Sequence, residues 1–176
     1  CTDNKIKFYL KKHNLSNQEK SIQEKARTIR YKFFDNICKQ NKYKYILTAH
    51  HIDDNIETIL MNVYRGKKLN VFTGIKKLNN NIIRPMLIFS KDNIIKFALD
   101  NKLKWREDKS NSDNKYLRNK IRNVLVPKIK SIDPLYRKNF VQLIKKSNIE
   151  KRYIDDYFFK IEKIFFETSE NGIIET

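Results

Sequence analysis

Only three glycines and three prolines are spread over the 176 residues, and this scarcity of chain breakers constrains the fold more than any other feature. Long helices with short connections are the expected outcome, because Gly and Pro are the residues that most readily end or kink them. The apolar spacing agrees. An S-x-x-E capping box, Ser21 with Glu24, opens a run in which Ile22, Ala26, Ile29, Phe33 and Ile37 recur every three or four positions through Cys38. Residues 44–48 (KYILT) read as a short buried strand. A second helix is expected from about Ile52 to Arg65-Gly66, with Ile56, Ile59, Leu60 and Val63 on its apolar stripe and Gly66 as its C-cap. Helix, strand and helix in that order is the rhythm of an α/β sheet with crossover helices.

Beyond it, residues 82–85 look extended, and residues 78–81 look like an exposed turn. Ser90 is placed to cap a helix reaching about Asn101, residues 105–113 read as polar loop, and helices are expected over 115–126 and about 134–166. A boundary near Phe89 would separate a partial α/β nucleotide-binding domain, residues 1–88, from a helical region, residues 89–176. The composition, 40% hydrophobic and 33% charged, is that of a globular chain. No apolar run approaches the roughly 18 residues of a membrane span, so no membrane partner is expected. The chain begins at Cys1 without a signal-peptide pattern, which suggests an incomplete N-terminus. Its two cysteines form neither a disulfide framework nor a C-x-x-C site, and a reducing cytoplasm is the expected compartment.

The net charge of +18 points to a polyanionic partner, although a chain this rich in Lys, Asn, Ile, Tyr and Phe also carries the mark of A+T-rich codons. Distribution separates the two explanations better than the total. Residues 114–152 hold 12 Lys/Arg against 2 Asp/Glu, whereas residues 153–176 hold 2 against 6. Codon drift would scatter lysines. A basic block followed by an acidic end favours a surface for phosphates.

Three constellations could carry chemistry. The first is T-A-H-H-I-D-D-N-I-E-T, residues 48–58, where the first strand ends and the next helix begins, the edge at which α/β folds place ligands. His50, Asp54 and Glu57 are four and then three residues apart and share a face, with Asp53 beside them. An imidazole with two or three carboxylates could hold Mg²⁺ and orient a phosphate. An acidic first helical turn would explain Asp53 and Asp54 alone, but not two adjacent histidines in a chain with three. The second constellation is Lys115, Arg118 and Arg122, one helical stripe suited to phosphate or developing negative charge, or a solvated face. The third, Arg27 and Arg30, reads alone as part of an ordinary amphipathic helix.

Together these segments resemble the tRNA(Ile)-lysidine synthases, members of the PP-loop ATP pyrophosphatase superfamily. Three stretches match in the family's order: S-x-Q-E-x-A-R-x-x-R-Y from Ser21; T-A-H-H-x-D-D-x-x-E-T from Thr48, followed by Arg65-Gly66; and Arg84-Pro85 leading to W-x-E-D-x-S-N-x-D from Trp105 and R-N-x-x-R-x-x-V-x-P from Arg118. The match covers about Ser21 to Pro127. His-His-x-Asp-Asp is shared with related tRNA sulfurtransferases, whereas its combination with Glu107-Asp108, Ser110-Asn111 and Arg118-Asn119-x-x-Arg122 is more specific.

The resemblance implies a partial Rossmann-like PP-loop sheet followed by a mostly helical tRNA-binding region. It implies an ATP-dependent ligase that adenylates the wobble cytidine of the CAU-anticodon isoleucine tRNA at C2 and then joins free L-lysine there. ATP and Mg²⁺ are the implied cofactors, and a homodimer is left open. By position, Asp54 looks like the Mg²⁺-associated carboxylate and His50 like the phosphate-contacting histidine. Arg30 and Arg122 look like the arginines near the adenylate; Asp53 and Glu57 complete the nucleotide site, and Lys115, Arg118 and Arg122 face tRNA. The family's S-G-G-x-D-S phosphate loop does not occur in these residues. Residues 1–14 look like the stretch after it, which implies a fragment inactive alone. The alternatives are a non-catalytic RNA-binding remnant and a PP-loop tRNA sulfurtransferase.

Overall fold

Helix α1, Ile22–Asn41, forms where the three-four apolar spacing predicts it. Its stripe of Ala26, Ile29, Phe33 and Ile37 is half-buried and ends on buried Cys38. In the computed structural model the described residues are 5–13, 22–67, 70–106, 116–169 and 172–175. The expected Ser21 cap therefore lies outside them, as do Lys115, Glu107, Asp108, Ser110 and Asn111.

The described residues cluster into two units. The first spans Cys1–Leu47 and Asn79–Ile83 and holds α1 and two short paired strands. Strand β1, Ile46–Leu47, pairs in parallel with β3, Ile82–Ile83, in the register Ile46↔Ile82 and Leu47↔Ile83. Strand β2, Leu78–Asn79, follows in a sheet of order β1-β3-β2. Asn80, at φ 52°, makes the tight reversal into β3; asparagine is among the few residues that tolerate this left-handed backbone. The stretch 78–81 is thus a short strand and its turn. Within this unit the Tyr9 hydroxyl donates to Asn41 Oδ1 at 2.7 Å and ties the N-terminal segment to the end of α1. Arg30 is exposed on α1.

The second unit, Thr48–Leu78 with Arg84–Thr176, is almost entirely helical. Helix α2, Ile52–Tyr64, stops before Arg65, and Gly66 then turns at φ 61°. Helix α3, Lys91–Asp100, starts on the expected cap, with Ser90 Oγ accepting from Asn93 N at 3.1 Å. Helix α4, Leu117–Lys120, runs through a π-helical turn, Ile121–Leu125, into α5, Val126–Ile132. Helix α6, Tyr136–Phe165, is the longest, and a hairpin of β4, Phe166–Ser169, and β5, Gly172–Glu175, comes after it. That hairpin was not expected from the sequence. Among the described residues no helix is long and apolar enough to cross a membrane.

Ile52, Ile56 and Tyr136 form the centre of the second unit's core. Val126 and Ile129 of α5 and Phe140, Val141 and Ile144 of α6 pack around them. Ile56 and Ile59 are each only 1% exposed, and burying such a side chain is worth about 1.5–3 kcal/mol. This packing lays α2 under α4, α5 and α6. The opposite side of α2 is polar and also buried: Asp54 and Glu57 are 9% and 2% exposed. Carboxylates at that depth require cationic partners.

Candidate active site

Helix α2 begins with a histidine cap. His51 Nδ1 accepts from Asp54 N at 3.4 Å, and Asp54 Oδ2 accepts from His51 N at 3.0 Å, a reciprocal capping box made with imidazole in place of the usual hydroxyl. His50 Nδ1 lies 2.9 Å from Thr48 Oγ1. It is His51 that caps the helix over Asp54.

One turn along α2, Asp54 and Glu57 face the arginines of α4 and the π-helical turn. Arg118 Nε donates to Glu57 Oε2 at 2.7 Å, and its Nη2 donates to Asp54 Oδ1 at 2.8 Å. Arg122 Nε donates to Glu57 Oε1 at 2.6 Å, and its Nη2 donates to Glu57 Oε2 at 3.0 Å and to Asp54 Oδ1 at 3.3 Å. The forked contacts are the geometry for which guanidinium and carboxylate are matched. Burial draws the Arg122 pKa down, but its bond to Glu57 and the charges of Glu57, Asp54 and Asp53 outweigh that, leaving it above the ordinary arginine value.

The π-helical turn carries Arg122. Widening one turn shifts the register of the residues after it, so Ile121 is 4% exposed while Val124, grouped with it by α-helical spacing, is 45% exposed. A π turn inside a helix often marks a functional position.

Asp53 belongs to a second network. Its Oδ2 accepts from the backbone N of Lys91, the first residue of α3, at 2.7 Å, and its Oδ1 accepts from Arg137 Nε at 2.7 Å. Arg137 Nη1 in turn donates to Asp92 Oδ2 at 2.7 Å, and the Arg137 guanidinium lies 5.4 Å from the Tyr136 ring centroid. Arg137 joins the start of α6 to the starts of α2 and α3. Sequence reading missed it, and eighty-odd residues from Asp53 no local spacing could have signalled it.

Asn55 supports the site from behind, its Oδ1 accepting from Ile75 N at 2.6 Å. Gly74 sits against it at φ 67°, where an added Cβ would meet Asn55 Oδ1 at 2.0 Å. Nearby, Arg84 is 6% exposed and donates from Nη1 to Lys76 O at 2.7 Å. Between these networks opens a cleft of about 270 Å³, lined by Lys91 and Lys130, by the pairs of Arg122 with Glu57 and of Arg137 with Asp53 and Asp92, and by Ile56 and Val126. It is smaller than the roughly 300–1,000 Å³ of pockets that enclose a whole drug-sized ligand.

The structure brings together Asp54, Glu57, Arg118 and Arg122 among the expected residues, and sets Asp53 with Arg137. Mg²⁺, expected on Asp54, does not fit this arrangement. Asp54 Oδ2 is held by the His51 backbone, its Oδ1 faces two guanidinium groups, and both Glu57 oxygens accept from arginine. A dication would meet neighbouring positive charge where it needs bare oxygen ligands. Among the described residues no group of three His, Cys, Asp or Glu side chains converges as a metal cage.

Residues 1–129 match the PP-loop domain family, a span that includes both sides of the arginine–carboxylate cluster. The chain belongs to the PP-loop domain family. Relatives extend the similarity past the domain. A tRNA(Ile)-lysidine synthase of Chlorobaculum tepidum is 37% identical over 133 residues, 73% of this chain and 40% of that protein. One of Thermosipho africanus is 35% identical over 170 residues, 90% of this chain and 39% of that protein. One of Borreliella afzelii is 41% identical over 144 residues, 81% of this chain and 33% of that protein. The chain thus spans between a third and two fifths of the length of these curated relatives.

Proposed function

We propose that this PP-loop chain is part of a tRNA(Ile)-lysidine synthase, a cytoplasmic ligase that uses ATP to join free L-lysine to the wobble cytidine of the CAU-anticodon isoleucine tRNA. The observation that carries the reading is its similarity to proteins of that name, over a stretch that includes the Asp54–Glu57–Arg118–Arg122 cluster. Its small parallel pair and mostly helical remainder are then one part of a Rossmann-like nucleotide-binding sheet and the start of a helical tRNA-binding region.

In this reading the cytidine O2 attacks the α-phosphorus of ATP and the bond to pyrophosphate breaks. The ε-amine of lysine next attacks C2, the C–O bond breaks with release of AMP, and the amine gives up a proton. Negative charge develops on the phosphoryl group in the first step, and pre-oriented cations stabilise it best where no reorganisation is needed. Arg122 is the proposed cation, held in place beforehand by Glu57 and Asp54. Asp54 and Glu57 thus act as holders of arginine in place of metal ligands. Asp53 acts through Arg137 and the start of α3. The resemblance alone supports His50 as a phosphate-contacting histidine and Arg30 as an arginine near the adenylate, and Arg118 shares the work of Arg122.

The test is incorporation of labelled lysine into CAU-anticodon isoleucine tRNA, by the chain alone and by the chain completed with the flanking segments of the Chlorobaculum tepidum relative. The completed protein is expected to label this tRNA in an ATP-dependent manner and to leave a wobble-uridine version unlabelled. Labelling of the wobble-uridine version as well would overturn the wobble cytidine as the acceptor, and labelling of neither while tRNA still binds would replace this reading with that of an RNA-binding protein.

A further inference from the structure

With Arg118 and Arg122 turned inward onto Asp54 and Glu57, two of the three residues expected to meet tRNA phosphates are already committed, and the basic block of residues 114–152 has room for another outlet. Helix α6 supplies one. Lys138, Lys145 and Arg152 recur every seven residues, so they drift by only about 20° per step and stand about 10 Å apart along one line. Lys146 stands about 100° round the helix from Lys145. All four are exposed, and none takes part in an ion pair among the described residues. Between residues 138 and 152 the sequence holds a single carboxylate, Glu150. Asp155 is bonded to Lys151, and Asp156 ends the line.

We propose that this stripe, Lys138–Lys145–Arg152, with Lys146 at its flank, is a docking surface for the phosphate backbone of RNA. The proposal rests on reading the chain as part of a tRNA-modifying enzyme and gives the tRNA a place to lie. The repeat of point charges suits a regular polyanion, since each cation can neutralise one phosphate without reading a base. An anionic membrane fits less well, because an interfacial helix needs a free apolar face. From Lys138 to Lys146 the apolar side of α6, Phe140, Val141 and Ile144, is packed on the core, and exposed apolar side chains begin only at Ile149. The carboxylates of the site, Asp53, Asp54, Glu57 and Asp92, are taken up by Arg118, Arg122 and Arg137, which leaves the α6 stripe as excess positive charge beside a neutralised site.

The experiment is the affinity of the full chain for a CAU-anticodon isoleucine tRNA transcript, measured from 50 to 300 mM KCl. The triple variant Lys138→Ala, Lys145→Ala, Arg152→Ala is compared with wild type and with Lys7→Ala, Lys11→Ala, Lys32→Ala, which removes equal charge from exposed positions elsewhere. Alanine keeps helix propensity high, so α6 is retained, and circular dichroism checks it. The α6 variant is expected to bind roughly tenfold or more weakly at 100 mM KCl, with a log–log salt slope shallower by about two to three. The control is expected to change by less than about threefold. Equal effects in both variants, an unchanged slope, or preference for polyglutamate over tRNA would overturn the proposal. The same loss on a tRNA of another anticodon is expected, because the backbone is what is read. Lysine incorporation that fails while the slope change persists would remove only the enzymatic reading.

Discussion

Arg122 Nε donates to Glu57 Oε1 at 2.6 Å and closes a clasp between the second helix and a π-helical turn sixty-five residues further along the chain. Glu57 is almost fully buried, while Arg122 and Arg118 keep about a quarter of their side-chain surface. The carboxylate therefore depends on the arginines more than they depend on it. Glu57→Gln leaves two guanidinium groups facing a neutral amide and is expected to lower unfolding free energy by about 2–3 kcal/mol. Urea denaturation measures this, and a loss under about 0.5 kcal/mol would show that the clasp contributes little.

Gly74 and Gly66 give a paired comparison. Both have positive φ, but a Cβ at Gly66 meets nothing within 4 Å, whereas at Gly74 it collides with Asn55. Gly66→Ala is expected to cost about 1–2 kcal/mol, the left-handed backbone penalty alone. Gly74→Ala should cost clearly more, because the bond from Ile75 N to Asn55 Oδ1 is also lost. Equal losses of thermal stability would contradict the close approach.

Alkaline pH should act through Tyr136. Burial, chiefly, raises its pKa; Asp53 and Asp92 add to this while Arg137 opposes it. The folded protein keeps this proton to higher pH than the unfolded chain does. Its contribution is therefore full below about pH 10 and is lost as pH rises through the folded value. Tyr136→Phe is expected to flatten the decline of unfolding free energy above that pH. A decline as steep as wild type would assign it to other groups. Arg122 and Arg137, both raised, hold their contribution throughout the neutral range by the same reasoning.

Asp53 links three helix starts, so Asp53→Asn should weaken both the Arg137 bond and the interaction with the first N–H of α3. The expected loss is about 1–2 kcal/mol. Hydrogen exchange should show faster opening at the starts of α3 and α6, and unchanged protection there would sever the proposed link.

Much of this was legible in the sequence where the cause is local. The apolar spacing from Ile22, the Ser90 cap and the stop at Gly66 depend on neighbours within a turn, and α1, α3 and α2 obey them. The His51 cap was misread, because side-chain periodicity makes His50, Asp54 and Glu57 look like one face, whereas a cap residue lies outside the helix and obeys no such period. The clasp left a faint signal: two acids three apart and two arginines four apart are complementary spacings. Nothing local marks which segments meet, nor the π turn that moved Val124 outward. Arg137 was invisible for the same reason, since only packing of Phe140 and Ile144 on Ile52 and Ile56 brings α6 to Asp53.

The most direct test of the account is the rate of labelled-lysine incorporation into CAU-anticodon isoleucine tRNA under single-turnover conditions. The completed protein would be compared with its Arg122→Lys and Glu57→Gln variants. If Arg122, held by Glu57, stabilises the adenylation step, both should slow the reaction by about 10²-fold or more while tRNA affinity stays within about threefold. Rates within threefold of wild type in both variants would contradict the claim that this cluster is the working centre.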